Sequence, residues 1–111
     1  MAKKPAGCPL EKTLDVIAGR WRGLILRELF RDGTLRFGEL QRKLLGISQR
    51  ILTQELRELE RLGIVHREVY QQVPPKVEYS LTALGRSLDP VLQAMNAWGT
   101  AYIKKAPSGP T

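Results

Sequence analysis

Between Ser48 and Leu62 the chain reads S-Q-R-I-L-T-Q-E-L-R-E-L-E-R-L, and its apolar residues recur at helical spacing. An α-helix turns roughly 100° per residue, so Ile51, Leu52, Leu56, Leu59 and Leu62 fall in one sector, the buried stripe of an amphipathic helix. Arg50, Thr53, Gln54, Arg57 and Arg61 lie on the opposite side, so the three arginines of this stretch share the exposed face. Glu55, Glu58 and Glu60 take the flanks. Ser48 suits an N-cap and Gly63 a C-cap, which marks both ends of the helix.

The segments before it are helical too. Leu10, Leu14, Ile17 and Ala18 predict a short first helix from Pro9 to Ala18, with Pro9 acceptable in its first turn. After Gly19, the residues Trp21, Leu24, Ile25, Leu26, Leu29 and Phe30 predict a second helix, apolar over much of its circumference and therefore central to the core. Asp32-Gly33 ends it in a turn, and Thr34-Leu35 suits a brief strand. Arg36-Phe37-Gly38-Glu39-Leu40 starts a third helix running to about Leu45, with Phe37, Leu40, Leu44 and Leu45 inward. A short break at Gly46-Ile47 then leads into the Ser48–Leu62 helix. Two helices joined by a short turn containing glycine, the second with a polar outer face, have the form of a helix-turn-helix.

Past Gly63 the period changes to two. Val65 to Val73 and Val77 to Leu81 read as strands, joined by a tight Pro74-Pro75-Lys76 connection that places Lys76 at the hairpin tip. A helix-turn-helix followed by a hairpin is the winged-helix arrangement, α+β but mainly helical. Thr82 suits the N-cap of a final helix carrying Leu84, Leu88, Val91, Leu92, Met95, Trp98 and Tyr102, and Asp89-Pro90 should kink or restart it. That stripe is longer than so small a domain can cover. With Leu10 and Leu14 of the first helix, the residues Leu88, Val91, Leu92, Met95, Trp98 and Tyr102 are candidates for a two-fold dimer interface; the alternative is that both helices fold back on their own core.

At 111 residues the chain is sized for one core. Residues 1–7 read as a flexible N-terminus, 8–105 as a single DNA-binding domain with terminal dimerisation helices, and 106–111 as a disordered tail. The formal net charge of +7 favours a polyanionic partner, nucleic acid or an anionic membrane surface. No apolar run approaches the roughly 20 residues of a membrane span, and the N-terminus lacks the apolar stretch of a secretory signal; a cytoplasmic protein with no membrane partner is expected. The lone cysteine, Cys8, excludes an intrachain disulfide and a multi-cysteine zinc site.

Enzymatic chemistry finds little support. His66 is the only histidine and sits in a predicted strand, no histidine–carboxylate cluster suggests a metal, and the glycines form no phosphate-binding loop. The carboxylates alternate with arginines at helical spacing, as solvated ion pairs do. No catalytic residue, metal or cofactor is expected. Cys8 precedes the first helix with Lys3, Lys4 and Lys12 nearby, and helix N-termini and cations favour the reactive thiolate; its position alone favours an inert cysteine acting as a small buried apolar residue over a redox-sensing thiol.

Arg and Gln make bidentate contacts to guanine and adenine edges, and Thr can touch a thymine methyl. Ser48, Gln49, Arg50, Thr53, Gln54 and Arg57 are therefore the candidates for entering the major groove of double-stranded DNA, with Lys76, Arg36 and Arg67 on flanking phosphates. The rival is a winged-helix interaction module whose basic face meets an acidic protein.

Several segments together resemble the HxlR family of bacterial winged-helix transcriptional regulators: Cys8-Pro9-Leu10, Gly19-Arg20-Trp21, Arg36-Phe37-Gly38-Glu39-Leu40, Gly46-Ile47-Ser48 with Leu52-Thr53, Gly63-Ile64-Val65, Val73-Pro74-Pro75-Lys76-Val77-Glu78-Tyr79-Ser80-Leu81-Thr82 and Trp98-Gly99. The match runs in order from about Cys8 to Gly99. It departs at Arg20, where lysine is commoner, and at Gly38, where serine is common. The resemblance implies a homodimer on a pseudo-palindromic operator, dimerised through its terminal helices. It also implies, for some members, an electrophile or oxidant effector sensed by a cysteine in the position of Cys8.

Overall fold

A computed structural model describes residues 7–107. Apart from Gly7, Ala106 and Pro107, the segments 1–7 and 106–111 expected to be unstructured lie outside it. The elements are α1 (Pro9–Ile17), α2 (Arg22–Asp32), β1 (Thr34–Arg36), α3 (Phe37–Lys43), α4 (Gln49–Arg61), β2 (Val65–Tyr70), β3 (Lys76–Leu81), α5 (Ala83–Arg86) and α6 (Asp89–Lys105). The strands form one antiparallel sheet in the order β1-β3-β2, with Leu35 opposite Tyr79 and Arg67 also opposite Tyr79 from the other side. This is a winged helix-turn-helix: α3 and α4 are the two helices of the turn, and β2 and β3 are the wing.

The core is built where the periodic stripes meet. Ile25, Leu26 and Leu29 of α2, Leu40 of α3, and Leu52, Leu56 and Leu59 of α4 are buried, joined by Val65, Tyr79 and Leu81 from the sheet. Each such aliphatic side chain contributes on the order of 1.5–3 kcal/mol by leaving water. Glu28 is the one charged residue in this core among the described residues, 2% exposed. It is accommodated because Arg27 donates to Glu28 Oε2 from Nε and Nη2 at 3.1 and 3.0 Å, and Arg31 approaches the other oxygen at 3.7 Å. A buried carboxylate without such partners would be costly.

Helix α4 begins and ends on local chemistry. The Ile51 amide donates to Ser48 Oγ at 3.1 Å, capping the first turn. At the far end Gly63 adopts φ +79°, and the amides of Gly63 and Ile64 donate back to the carbonyls of Glu60 and Leu59 at 3.0 and 2.9 Å. This pair of bonds is a Schellman motif, and the buried Leu59 and Ile64 supply its apolar contact. The junction with α5 is equally specified. Thr82 Oγ1 donates to the Gly63 carbonyl at 2.6 Å and accepts from the Gly85 amide at 2.9 Å, so one hydroxyl joins the end of α4 to the start of α5.

Several expectations are corrected. Helix α3 stops at Lys43, and Leu45 is 87% exposed, because the chain must turn at Gly46 and only Leu44 and Ile47 can point inward. Strand β2 ends at Tyr70 rather than Val73. The hairpin loop is therefore Gln71–Pro75, and Lys76 is the first residue of β3, paired with Tyr70 rather than placed at the tip. The final helix does restart at Asp89-Pro90; none of α6 is fully buried, and it packs on its own core only near its start, through the half-buried Leu92, while Met95, Trp98, Tyr102 and Ile103 stay exposed.

Candidate nucleic-acid interface

The outward face of α4 carries Gln49, Arg50, Gln54 and Arg57 exposed to solvent, with Thr53 half-buried. Among the described residues no hydrogen bond or ion pair engages Arg50 or Arg57. Their guanidinium groups are thus free to meet an external partner. Arg61, the third arginine of this face, is already committed. It donates from Nε to Glu58 Oε2 at 2.9 Å and from Nη2 to Glu58 Oε1. The hydrogen bonds from Arg61 hold the Glu58 carboxyl below its usual range, and Glu58 raises Arg61 in return.

An open groove runs between α4 and the wing, lined by Phe37, Gln49, Thr53, Arg57, Glu60, Arg67, Val77 and Tyr79. A second lies on the other side of the helix, lined by Arg22, Gln54, Glu55, Arg57, Glu58 and Arg61. Arg57 borders both and so stands on the crest of the helix. Thr53 has its hydroxyl turned to the Gln49 carbonyl at 2.8 Å, which leaves its methyl as the group able to face a ligand. Ser48 combines its exposed position with the capping of α4.

Of the flanking cations, Lys76 differs from expectation. Lys76 Nζ lies over the Tyr70 ring, 4.4 Å from its centroid, and 3.6 Å from Glu78 Oε2, so it is held on the wing's outer face and does not extend from the tip. Arg36 is exposed just before α3, where its amide donates to Glu39 Oε1 at 2.8 Å and its side chain stays outward. Arg67 on β2 enters the groove directly. The contribution of Phe37 and Tyr79 to the same groove carries no local sequence signal.

Cys8 is exposed and immediately precedes α1, its carbonyl accepting from the Lys12 amide at 3.0 Å, so the reading of it as a buried apolar residue does not hold. Lys3 and Lys4 lie outside the described residues. His66 is exposed with Nε2 2.9 Å from Glu68 Oε1, a surface pair. Among the described residues no group of three or more potential ligands could hold a metal ion, and no helix is long and apolar enough to cross a membrane.

The residues expected at a dimer interface divide. Leu10, Leu14, Val91, Met95, Trp98 and Tyr102 are exposed, and Trp98 and Tyr102 stack with centroids 5.0 Å apart. Leu88 and Leu92 instead pack, half-buried, against the protomer's own core, because the start of α6 still crosses α2 before the helix departs.

The family profile of HxlR-like helix-turn-helix proteins matches residues 16–107. The HTH-type transcriptional regulator YdeP of Bacillus subtilis (strain 168) is 57% identical over 96 residues, covering 86% of this chain and 74% of YdeP. Among solved structures, the redox regulator HypR in its reduced form superposes with a TM-score of 0.80 at 55% identity, over 85% of this chain and 92% of that one. Its oxidised form gives 0.79 at 56% identity, over 85% and 96%.

Proposed function

The chain belongs to the HxlR-like helix-turn-helix family, and on that premise we propose that it is a sequence-specific DNA-binding transcriptional regulator acting as a homodimer in the cytoplasm. The observation that carries the reading is the uncommitted pair Arg50 and Arg57, flanked by Gln49, Gln54 and the Thr53 methyl on one capped helix. These are the side chains that read base edges in the major groove. Arg67 and Arg36 supply phosphate contacts at the margins, and Lys76 braces the wing.

Two copies of α4 would read half-sites about 10 base pairs, or a multiple, apart. Arg57→Ala is expected to cost about 1–3 kcal/mol on the operator and much less on random duplex, measured by fluorescence anisotropy at fixed salt. Equal losses on both duplexes would reduce Arg57 to a phosphate contact. The acidic-partner reading would gain only if sheared genomic DNA failed to bind even at low salt, where phosphate contacts are strongest.

Cys8 is the group through which an oxidant or electrophile effector would act. It is exposed at the start of α1, beside Leu10 and Leu14, and as the single cysteine of the chain it can form a disulfide only with another molecule. The similarity to HypR, a redox regulator, supports this. Diamide is expected to change the operator affinity of the wild type and leave Cys8→Ser unaffected; an unchanged wild type would remove the thiol from the mechanism.

A further inference from the structure

One guanidinium joins three elements of the fold. Arg22, the first residue of α2, donates from Nε to Glu55 Oε2 at 3.0 Å, in the middle of α4. Its Nη1 donates to the Asp15 carbonyl at 2.7 Å and reaches the Val16 carbonyl at 3.5 Å, in the last turn of α1. Both side chains are largely sheltered, 16% exposed for Arg22 and 22% for Glu55. The last carbonyls of a helix lack partners within it, and here a cation supplies them, so the end of α1 is fixed to the same group that grips α4.

The apolar stripe of α4 sets its buried face and how close it lies to the core, but such contacts are non-directional. The Arg22 hydrogen bonds are directional, with a planar donor set that a lysine cannot reproduce. Helix α1 carries Leu10 and Leu14, exposed and assigned above to the dimer interface, while α4 carries the base-reading face.

We propose that Arg22 and Glu55 are positioning residues that fix the orientation of α4 relative to α1, and thereby set the half-site spacing the dimer accepts. The inference rests on the reading of the chain as a DNA-binding dimer. One inserted base pair rotates a half-site by about 35° and shifts it by about 3.4 Å, a change that a rigidly referenced helix rejects and a loosely referenced one follows.

The test uses the full chain and an operator recovered by selection from random duplexes, rebuilt with one base pair added or removed at its dyad, together with an isolated half-site. The wild type is expected to bind the altered spacings at least 10-fold more weakly than the selected one. Arg22→Lys and the isosteric Glu55→Gln are expected to reduce that discrimination to about 2–3-fold while binding the half-site as the wild type does. Discrimination unchanged in both variants, or affinities for all duplexes falling together with their ratio preserved, would overturn the proposal, as would a wild type indifferent to spacing. Failure of the wild type to bind any duplex would instead overturn the DNA-binding reading.

Discussion

Gly85 has no side chain, and the junction between wing and C-terminal helices depends on that. A Cβ built there would lie 2.2 Å from the Ile64 carbonyl oxygen, which belongs to backbone and cannot rotate away. Alanine at 85 would push α5 off the turn after α4 and disturb the Thr82 hydroxyl that accepts from the Gly85 amide. Overpacking costs about 1–3 kcal/mol, and the upper end applies where the clash is with backbone. Gly85→Ala is therefore expected to lower Tm by on the order of 10 °C for a domain of this size, read by thermal circular dichroism; a Tm within a degree or two of wild type would show that α5 shifts freely. The same scale explains the correction at Lys76. A basic residue after two prolines suggests an exposed tip, but an aromatic ring and a carboxylate beside it claim the ammonium group.

The wing is the element where charge is most finely balanced. Glu68 stands directly opposite Glu78 in the β2–β3 register, a like-charge pair that disfavours the hairpin unless compensated. Lys76 on Glu78 compensates it, and the His66 ring nitrogen lies against Glu68 at 2.9 Å. Tyr70 feels the remaining negative charge: Glu78 above all, then its hydrogen bond, burial and Glu68 hold the phenol above its ordinary value. A raised folded-state value means that the folded wing keeps the Tyr70 proton more tightly than the unfolded chain does. That contribution is complete below the unfolded phenol value of about 10 and is lost as pH rises through the higher folded value. An ultraviolet titration should show one tyrosine ionising late, absent in Tyr70→Phe; an unaltered late phase in that variant would assign it elsewhere.

Elements whose determinants are local were legible in the chain. Ser48 and Gly63 bracket α4 and the stripe between them sets its buried face, so helix, caps and outward arginines all follow from one stretch of residues. The length of the wing was not, because the alternation of Val65 to Val73 continues past the last cross-strand pair, Tyr70 with Lys76. The Arg22–Glu55 clasp was not either. Its members lie 33 residues apart, and nothing near either residue signals the other.

At the scale of the molecule, α1 and α6 are the exception to an otherwise well-buried design. The Cα radius of gyration is 16.3 Å, against about 13 Å for a compact chain of this length, and the longest principal extent is 52 Å. Trp98 at 68% and Ile103 at 78% exposed sit on a helix with no buried residue. An aromatic stack left in water on an isolated protomer makes little sense energetically, whereas against the second copy proposed above it would supply the centre of an interface. Trp98→Glu is expected to give a folded monomer by sedimentation, with operator affinity at least 10-fold weaker. A dimer that persisted would move the interface off α6.

The 17 residues of α6 carry one further implication. Helix formation in water is cooperative with a costly nucleus, and most helical stability in proteins comes from tertiary packing, so a helix that packs on its own protomer only near its start would draw order from the association proposed above, which links its folding by mass action to protein concentration. The circular dichroism signal should gain helicity on passing from nanomolar to micromolar protein. As the dimer proposed above, such a regulator would also gauge its own abundance: each halving of the protomer pool lowers the concentration of operator-competent dimer between two- and fourfold, so gene dosage and dilution at division would enter the control circuit alongside any chemical signal.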